Sequence, residues 1–129
     1  MGKVNYKILL VDNDEMSLKS LDSFLISEGY SVSSFLSPND ALNSVRKQKY
    51  QFVLTDYSML EMSGVQLIQK LKEIDPNICA ILYTGYASQL IEQQEHFKNV
   101  NYFFKKPLRI RQLISILNNS KNKQTKEKK

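Results

Sequence analysis

The chain has 129 residues, of which 42% are hydrophobic and 24% charged, as is ordinary for one soluble globular domain. No apolar run approaches the roughly 20 residues that span a bilayer, and the N-terminal apolar segment is too short for a signal peptide. The single cysteine, Cys79, excludes an intrachain disulfide and a zinc site built from several cysteines. These features favour a cytoplasmic protein that has no contact with a membrane.

The positive charge is concentrated at the C-terminus. The formal net charge is +5, and residues 120–129 (SKNKQTKEKK) hold five lysines against one glutamate. The rest of the chain is therefore almost neutral, which argues against nucleic-acid binding by its body. We expect a folded domain over residues 1–119 and a basic, disordered tail over residues 120–129.

Short apolar runs alternate with segments of helical periodicity. The predicted strands are 7–11, 31–36, 52–54, 78–83 and 102–104. The first predicted helix contains Leu18, Leu21 and Leu25 and ends at the cap Gly29; the second begins at Ser37-Pro38. The third begins at Ser63 and ends at Asp75-Pro76, and a weaker fourth helix covers about 88–97. The last predicted helix contains the apolar residues Ile110, Leu113, Ile114 and Leu117. Five βα units in a row favour an α/β fold, with a parallel sheet covered by helices on both faces.

Polar residues follow four of the predicted strands. The first is followed by Asp12, Asn13 and Asp14, the third by Asp56, the fourth by Thr84 and the fifth by Lys106. Ligands of such sheets bind beyond the carboxyl ends of the strands, so these side chains are expected to converge on one edge.

Asp12 and Asp56 would place like charges close together, which is costly unless a cation shares the site. Lys106 can supply part of this compensation, and Mg²⁺, which prefers oxygen ligands, can supply the rest. A carboxylate in such surroundings is suited to receive a phosphoryl group, because that chemistry depends on positioning and charge neutralisation. A nucleophile at a strand end is held rigidly and remains reachable, which explains the position of Asp56.

Four segments in this order, ILLVDND, VLTDYSMLEMSG, ILYTGYAS and YFFKKPL, resemble the receiver domain of two-component response regulators. The resemblance covers roughly residues 5 to 119. It implies a flavodoxin-like (βα)5 fold, a doubly wound parallel sheet with strand order 2-1-3-4-5.

The resemblance also implies roles for single residues. Asp56 resembles the phosphoacceptor, and Asp12 resembles an acidic residue that helps to hold Mg²⁺. The backbone carbonyl of Ser58 is similar to a main-chain metal ligand of the family. Asn13 stands where the family usually has a second acid that binds the metal directly, which predicts weaker Mg²⁺ binding. Asp14 could compensate in part, although capping of the first helix is the role we expect for it.

The remaining motif residues resemble those that contact the phosphoryl group in the family and respond to it. Thr84 is similar to the hydroxyl residue that binds a phosphoryl oxygen, and Lys106 to the lysine that pairs with another. Pro107 resembles the family's cis-proline. Phe103 matches the switch aromatic, and because it lacks the hydroxyl of the tyrosine often found there, a switch would work by packing alone.

The resemblance implies a signalling domain rather than an enzyme, one that assists its own aspartyl phosphorylation and dephosphorylation. The phosphodonor would be a histidine kinase or a histidine phosphotransfer protein. We expect no DNA-binding module in residues 120–129, and the output expected is contact with a downstream protein that the sequence does not identify. A stand-alone receiver and a piece of a longer protein, such as a hybrid kinase, both remain open.

Two other functions remain possible from the sequence. A pseudo-receiver would bind its partner constitutively because Asn13 has weakened the metal site. A phosphatase resembling the haloacid-dehalogenase family would use Asp12 as nucleophile and Asp14 as acid and base, but this hypothesis leaves Asp56 unexplained.

Overall fold

A computed structural model describes residues 6–85 and 98–126. The strands are β1 (Lys7–Val11), β2 (Ser31–Phe35), β3 (Phe52–Asp56), β4 (Cys79–Thr84) and β5 (Tyr102–Lys105). The helices are α1 (Glu15–Ser27), α2 (Pro38–Lys47), α3 (Gly64–Ile74) and α4 (Ile110–Lys126). The helix predicted at about 88–97 lies outside the described residues. In the part of the chain that is described, no helix is both long enough and apolar enough to cross a membrane.

The five strands form one parallel sheet in the order β2-β1-β3-β4-β5. This is the predicted flavodoxin-like order: β2 lies on one side of β1, and β3, β4 and β5 extend the sheet on the other side. Strand β3 pairs with β1 on one side and with β4 on the other. The carboxyl ends of these three strands therefore lie next to one another, which sets the position of the candidate site residues.

Each face of the sheet has its own hydrophobic core, because alternate side chains of a strand point to opposite faces. On one face, β1 and β4 contribute Leu9, Val11, Ala80 and Leu82, which pack with residues of α2 and α3. On the other face, Ile8, Leu10, Ile81 and Tyr83 pack with residues of α1 and α4. A sheet that is covered on both faces explains why its central strands read as almost continuous apolar runs.

The predicted helix boundaries are confirmed where capping residues mark them. The Ser37 side chain accepts the Asp40 N–H at the start of α2, and Pro38 occupies the first turn. At the start of α3, Ser63 and Gln66 form a reciprocal capping box. Gly29 follows α1 with a φ of 95°, a left-handed conformation that other residues rarely adopt.

Two elements extend at least two residues past their predicted ends. Strand β3 continues from Leu54 to Asp56, because Asp56 pairs with Tyr83 of β4. Helix α4 continues to Lys126, past residue 119, where we expected the tail to begin. Residues 120–126 contain no glycine or proline that would end a helix. The disordered tail over residues 120–129 stays a prediction. The division of the chain at residue 119 into a domain and a tail stays a prediction.

Candidate functional site

Three polar side chains are buried at the carboxyl ends of β1, β3 and β4. Asp12, Asp56 and Thr84 are 0%, 5% and 1% exposed, respectively. The strand order places Asp56 between the other two. Lys106 joins them from the end of β5, where its backbone N–H donates to the Thr84 carbonyl at 2.8 Å. The fold therefore brings together the four residues that the strand-end pattern singled out.

Asp56 is held by contacts on both of its carboxylate oxygens. Its Oδ2 lies 3.1 Å from the Lys106 Nζ, and its Oδ1 accepts a long hydrogen bond of 3.4 Å from the Ser58 N–H. Burial raises the pKa of the Asp56 carboxyl; the hydrogen bond from Lys106 opposes this rise, and the nearby charge of Asp12 adds to it. The site thus holds a desolvated carboxylate whose charge one lysine offsets in part.

Asp12 has a hydrogen-bond donor on each carboxylate oxygen. Its Oδ1 accepts the Asp14 N–H at 2.9 Å, and its Oδ2 accepts the Tyr83 hydroxyl at 2.6 Å. Burial raises the pKa of the Tyr83 phenol, and Asp12 raises it further. The phenol therefore keeps its proton and donates a hydrogen bond to the carboxylate.

Tyr83 is a residue of the site that the sequence analysis missed, since it was assigned only to the fourth strand. Besides its bond to Asp12, its ring lies 5.2 Å from the Lys106 Nζ, within the range of a cation–π contact. One side chain therefore touches both the carboxylate and the ammonium that surround Asp56. The sequence did contain an indication of this role, because the hydroxyl of a tyrosine in a buried strand usually has a hydrogen-bond partner.

The side chains that follow Asp12 are exposed rather than buried. The Asp14 Oδ2 accepts the Ser17 N–H at 2.9 Å and caps α1, as expected. The hydrogen bonds with Ser17 lower the pKa of the Asp14 carboxyl. The Asp14 carboxylate thus caps α1, and Asn13 contributes no charge to the pocket.

The residues present fit a divalent cation, but with few acidic ligands. Within residues 6–85 and 98–126, no group of three or more His, Cys, Asp or Glu side chains is placed to hold a metal ion. The pocket instead offers two buried carboxylates, Asp12 and Asp56, that lie close enough for one to raise the pKa of the other. Two carboxylates, completed by water and phosphate oxygens, are a common environment for Mg²⁺.

The loop after β5 begins with the expected cis peptide bond between Lys106 and Pro107. Lys106 and Tyr83 also line a cleft of about 380 Å³ between the N-terminal turns of α1 and α4. The ion pair on Asp56 is therefore next to a surface that solvent reaches. Phe103 is half-buried, pairs with Leu82 in the sheet, and packs against the core on the α2 and α3 side.

Comparison with known proteins agrees with this arrangement. Residues 8–118 match the family described as the response regulator receiver domain. The response regulator receiver protein CpdR of Brucella abortus is 28% identical over 109 residues, which are 84% of this chain and 91% of that protein. The transcriptional regulatory protein ZraR of Escherichia coli is 36% identical over 84 residues, 65% of this chain but only 19% of ZraR.

A solved structure is also similar over nearly its whole length. The CheY-like receiver domain protein from Methanospirillum hungatei superposes with a TM-score of 0.82 and 27% identity, covering 91% of this chain and 94% of that one. The family match spans both carboxylate-bearing strands, and the shared fold places their ends at one site. The chain therefore belongs to the family of response regulator receiver domains of two-component signal transduction systems.

Proposed function

We propose that this receiver accepts a phosphoryl group on Asp56 and passes the signal to another protein by a conformational change. The donor would be a histidine kinase or a histidine phosphotransfer protein. The observation that carries the proposal is the Asp56 carboxylate, which is buried at a strand end 3.1 Å from the Lys106 ammonium. Such a group is fixed in position, partly neutralised and next to an accessible cleft.

In the proposed transfer, an oxygen of Asp56 attacks the phosphorus atom of the donor's phosphohistidine. A P–O bond forms as the P–N bond breaks, and the electron pair of that bond leaves with the imidazole, which takes up a proton. Lys106 would then pair with a phosphoryl oxygen, and the Thr84 hydroxyl would donate a hydrogen bond to another. Hydrolysis of the acyl phosphate by water would restore the carboxylate.

Mg²⁺, when bound, would neutralise the charge on the phosphoryl oxygens. The ligands we assign to it are the carboxylates of Asp12 and Asp56 and the backbone carbonyl of Ser58. The side-chain oxygen of Asn13 is a further, uncharged candidate. Asp12 suits this role because it is fully buried and already raises the pKa of Asp56, so a cation would relieve repulsion between the two.

Phosphorylation of Asp56 would change the positions of Thr84 and Phe103, and this change would carry the signal. Phosphorylation adds negative charge and acceptor oxygens, which can shift a two-state element. Phe103 is a suitable element because it is only half-buried and pairs with Leu82, two residues before Thr84. We expect the face that contains β5 and α4 to be the one that a downstream protein contacts.

A second candidate is a receiver that binds its partner without phosphorylation. It is favoured by the exposed, neutral Asn13 and by the lack of a three-acid cluster in the described residues. The phosphatase hypothesis has no such support, because residues 8–118 match the receiver family and the Asp14 carboxylate caps α1. Since the chain spans only 19% of ZraR, the output of any longer protein would be a further question.

The test is incubation of the purified chain with acetyl phosphate and millimolar Mg²⁺, followed by intact mass spectrometry. We expect the wild-type protein to gain one phosphoryl group, and Asp56→Asn to gain none. Asp40→Asn is the matched control, because Asp40 is an exposed carboxylate in the first turn of α2, whereas Asp56 is buried. If neither acetyl phosphate nor beryllofluoride with Mg²⁺ changes the wild-type protein, constitutive binding is the better hypothesis.

A further inference from the structure

Tyr83 differs in the charge of its partner from Tyr50, another tyrosine that is almost completely buried. Both residues are almost inaccessible, at 2% for Tyr83 and 1% for Tyr50, and both hydroxyls make a bond of 2.6 Å. The partner of Tyr50 is the neutral hydroxyl of Ser44, whereas the partner of Tyr83 is the Asp12 carboxylate. Hydrogen bonds to an ionised group are roughly twice as strong as those between neutral groups.

The fold fixes Tyr83 in this contact from its backbone outwards. Its carbonyl accepts the Tyr57 N–H at 2.9 Å, and its Cα pairs with that of Asp56. Its ring belongs to the core on the α1 and α4 side of the sheet. The hydroxyl therefore cannot leave Asp12 by a simple movement of a surface side chain.

A proton donor and a metal ion make opposing demands on one carboxylate. Each is stabilised by the same negative charge, so a cation on Asp12 weakens the hydrogen bond, and by linkage the hydrogen bond weakens binding of the cation by the same factor. We infer that the Tyr83 hydroxyl competes with a divalent cation for the Asp12 carboxylate and thereby lowers the affinity of the site for Mg²⁺.

This inference rests on the cation site proposed above and adds a residue that regulates it. An alternative effect would be that Tyr83 orients Asp12 for the metal, as outer hydrogen-bond partners often do. The second donor argues against this role, because the Asp14 N–H already holds the other oxygen of Asp12 at 2.9 Å. Without the phenol, Asp12 would keep the hydrogen bond from the Asp14 N–H, and its negative charge would be fully available to the cation.

The experiment compares Mg²⁺ binding to wild type, Tyr83→Phe and Tyr50→Phe by isothermal titration calorimetry without a phosphodonor. Tyr83→Phe should bind Mg²⁺ about fivefold more tightly or better, which is the lower end of typical coupling between two bound groups. Tyr50→Phe is the matched control, since it loses an equally buried hydroxyl, and should bind like wild type. Unchanged or weaker binding by Tyr83→Phe would overturn the inference.

A thermal measurement provides a second readout that does not depend on the absolute stability of the variants. The rise in Tm on adding a fixed concentration of Mg²⁺ should be larger for Tyr83→Phe than for either other protein, because tighter binding stabilises the folded state more. Equal binding by all three proteins would overturn the role of Tyr83 but leave the cation site intact. Lack of saturable Mg²⁺ binding in all three would overturn both.

Discussion

Gly64 lies directly against the backbone that carries Asp56. A Cβ atom at position 64 would overlap the Asp56 carbonyl oxygen and lie 2.7 Å from the Leu82 Cδ1. The Gly64 N–H also donates to the Tyr57 carbonyl at 2.7 Å, which closes the loop between β3 and α3. The absence of a side chain at this position therefore lets α3 approach the end of β3 and fixes the backbone of Asp56, the proposed phosphoacceptor.

Gly64→Ala should consequently displace the Asp56 backbone. We expect the free energy of unfolding to fall by about 1–3 kcal/mol, the usual effect of overpacking, and the rate of phosphorylation by acetyl phosphate to fall with it. Urea unfolding measures the first effect. Gly85→Ala is the control, because a Cβ atom there meets no atom of residues 6–85 and 98–126 within 4 Å. A similar loss of stability in both variants would contradict the role of Gly64.

Lys106→Met should raise the pKa of Asp56 further. The hydrogen bond and the charge of Lys106 are the main effects that oppose the rise caused by burial, so removing the ammonium leaves that rise uncompensated. Carbon-13 NMR of the side-chain carboxyl, recorded against pH without divalent ions, measures this directly. Lys105→Met removes the neighbouring exposed lysine and should leave the pKa of Asp56 as it is in the wild-type protein.

The raised pKa of Asp56 predicts a pH-dependent loss of stability. A carboxyl whose pKa is higher in the folded state stabilises the fold below its unfolded pKa of about 3.9, and this contribution is lost as the pH rises through the folded value. Asp56→Asn should therefore be more stable than wild type at pH 7 in the absence of divalent ions, and the difference should vanish in acid. Urea unfolding from pH 3 to 7 tests this.

Asp14 provides a contrast of opposite sign. Its pKa is lowered by its hydrogen bonds with Ser17, so its contribution to stability is present above the unfolded pKa and is lost as the pH falls through the folded value. Asp14→Ala should thus be less stable than wild type at neutral pH, with a smaller difference in acid. The same titration with urea distinguishes the two carboxyls, and parallel pH profiles would contradict both assignments.

Ser63→Ala should weaken the start of α3, which directly follows the loop from Asp56. The Ser63 Oγ accepts the Gln66 N–H at 3.1 Å, and the Gln66 side chain returns a bond to the Ser63 N–H at 2.9 Å. Loss of such a cap costs about 1 kcal/mol of stability. Ser23→Ala, an exposed change within α1, should cost nothing, because alanine favours helix.

Much of the fold could be predicted because its signals are local. Apolar runs, the caps at Ser37 and Ser63 and the glycine after α1 each act within a few residues, and they placed the described elements in order. The end of β3 was missed because it depends on a distant partner. Asp56 extends β3 only because Tyr83 of β4 pairs with it, and no pattern within residues 52–56 contains that pairing.

The sequence by itself determined which chemistry is available at the site. Asp12, Asp56, Thr84 and Lys106 follow strands whose carboxyl ends must meet in a parallel sheet, so their convergence follows from the order of the elements. Only the tertiary structure decided how their charges are balanced. Whether Tyr83 donates to Asp12, and whether Asp14 faces the pocket or caps α1, depends on side-chain directions within a few ångströms. Packing of distant elements sets those directions, and the spacing of residues along the chain does not record them.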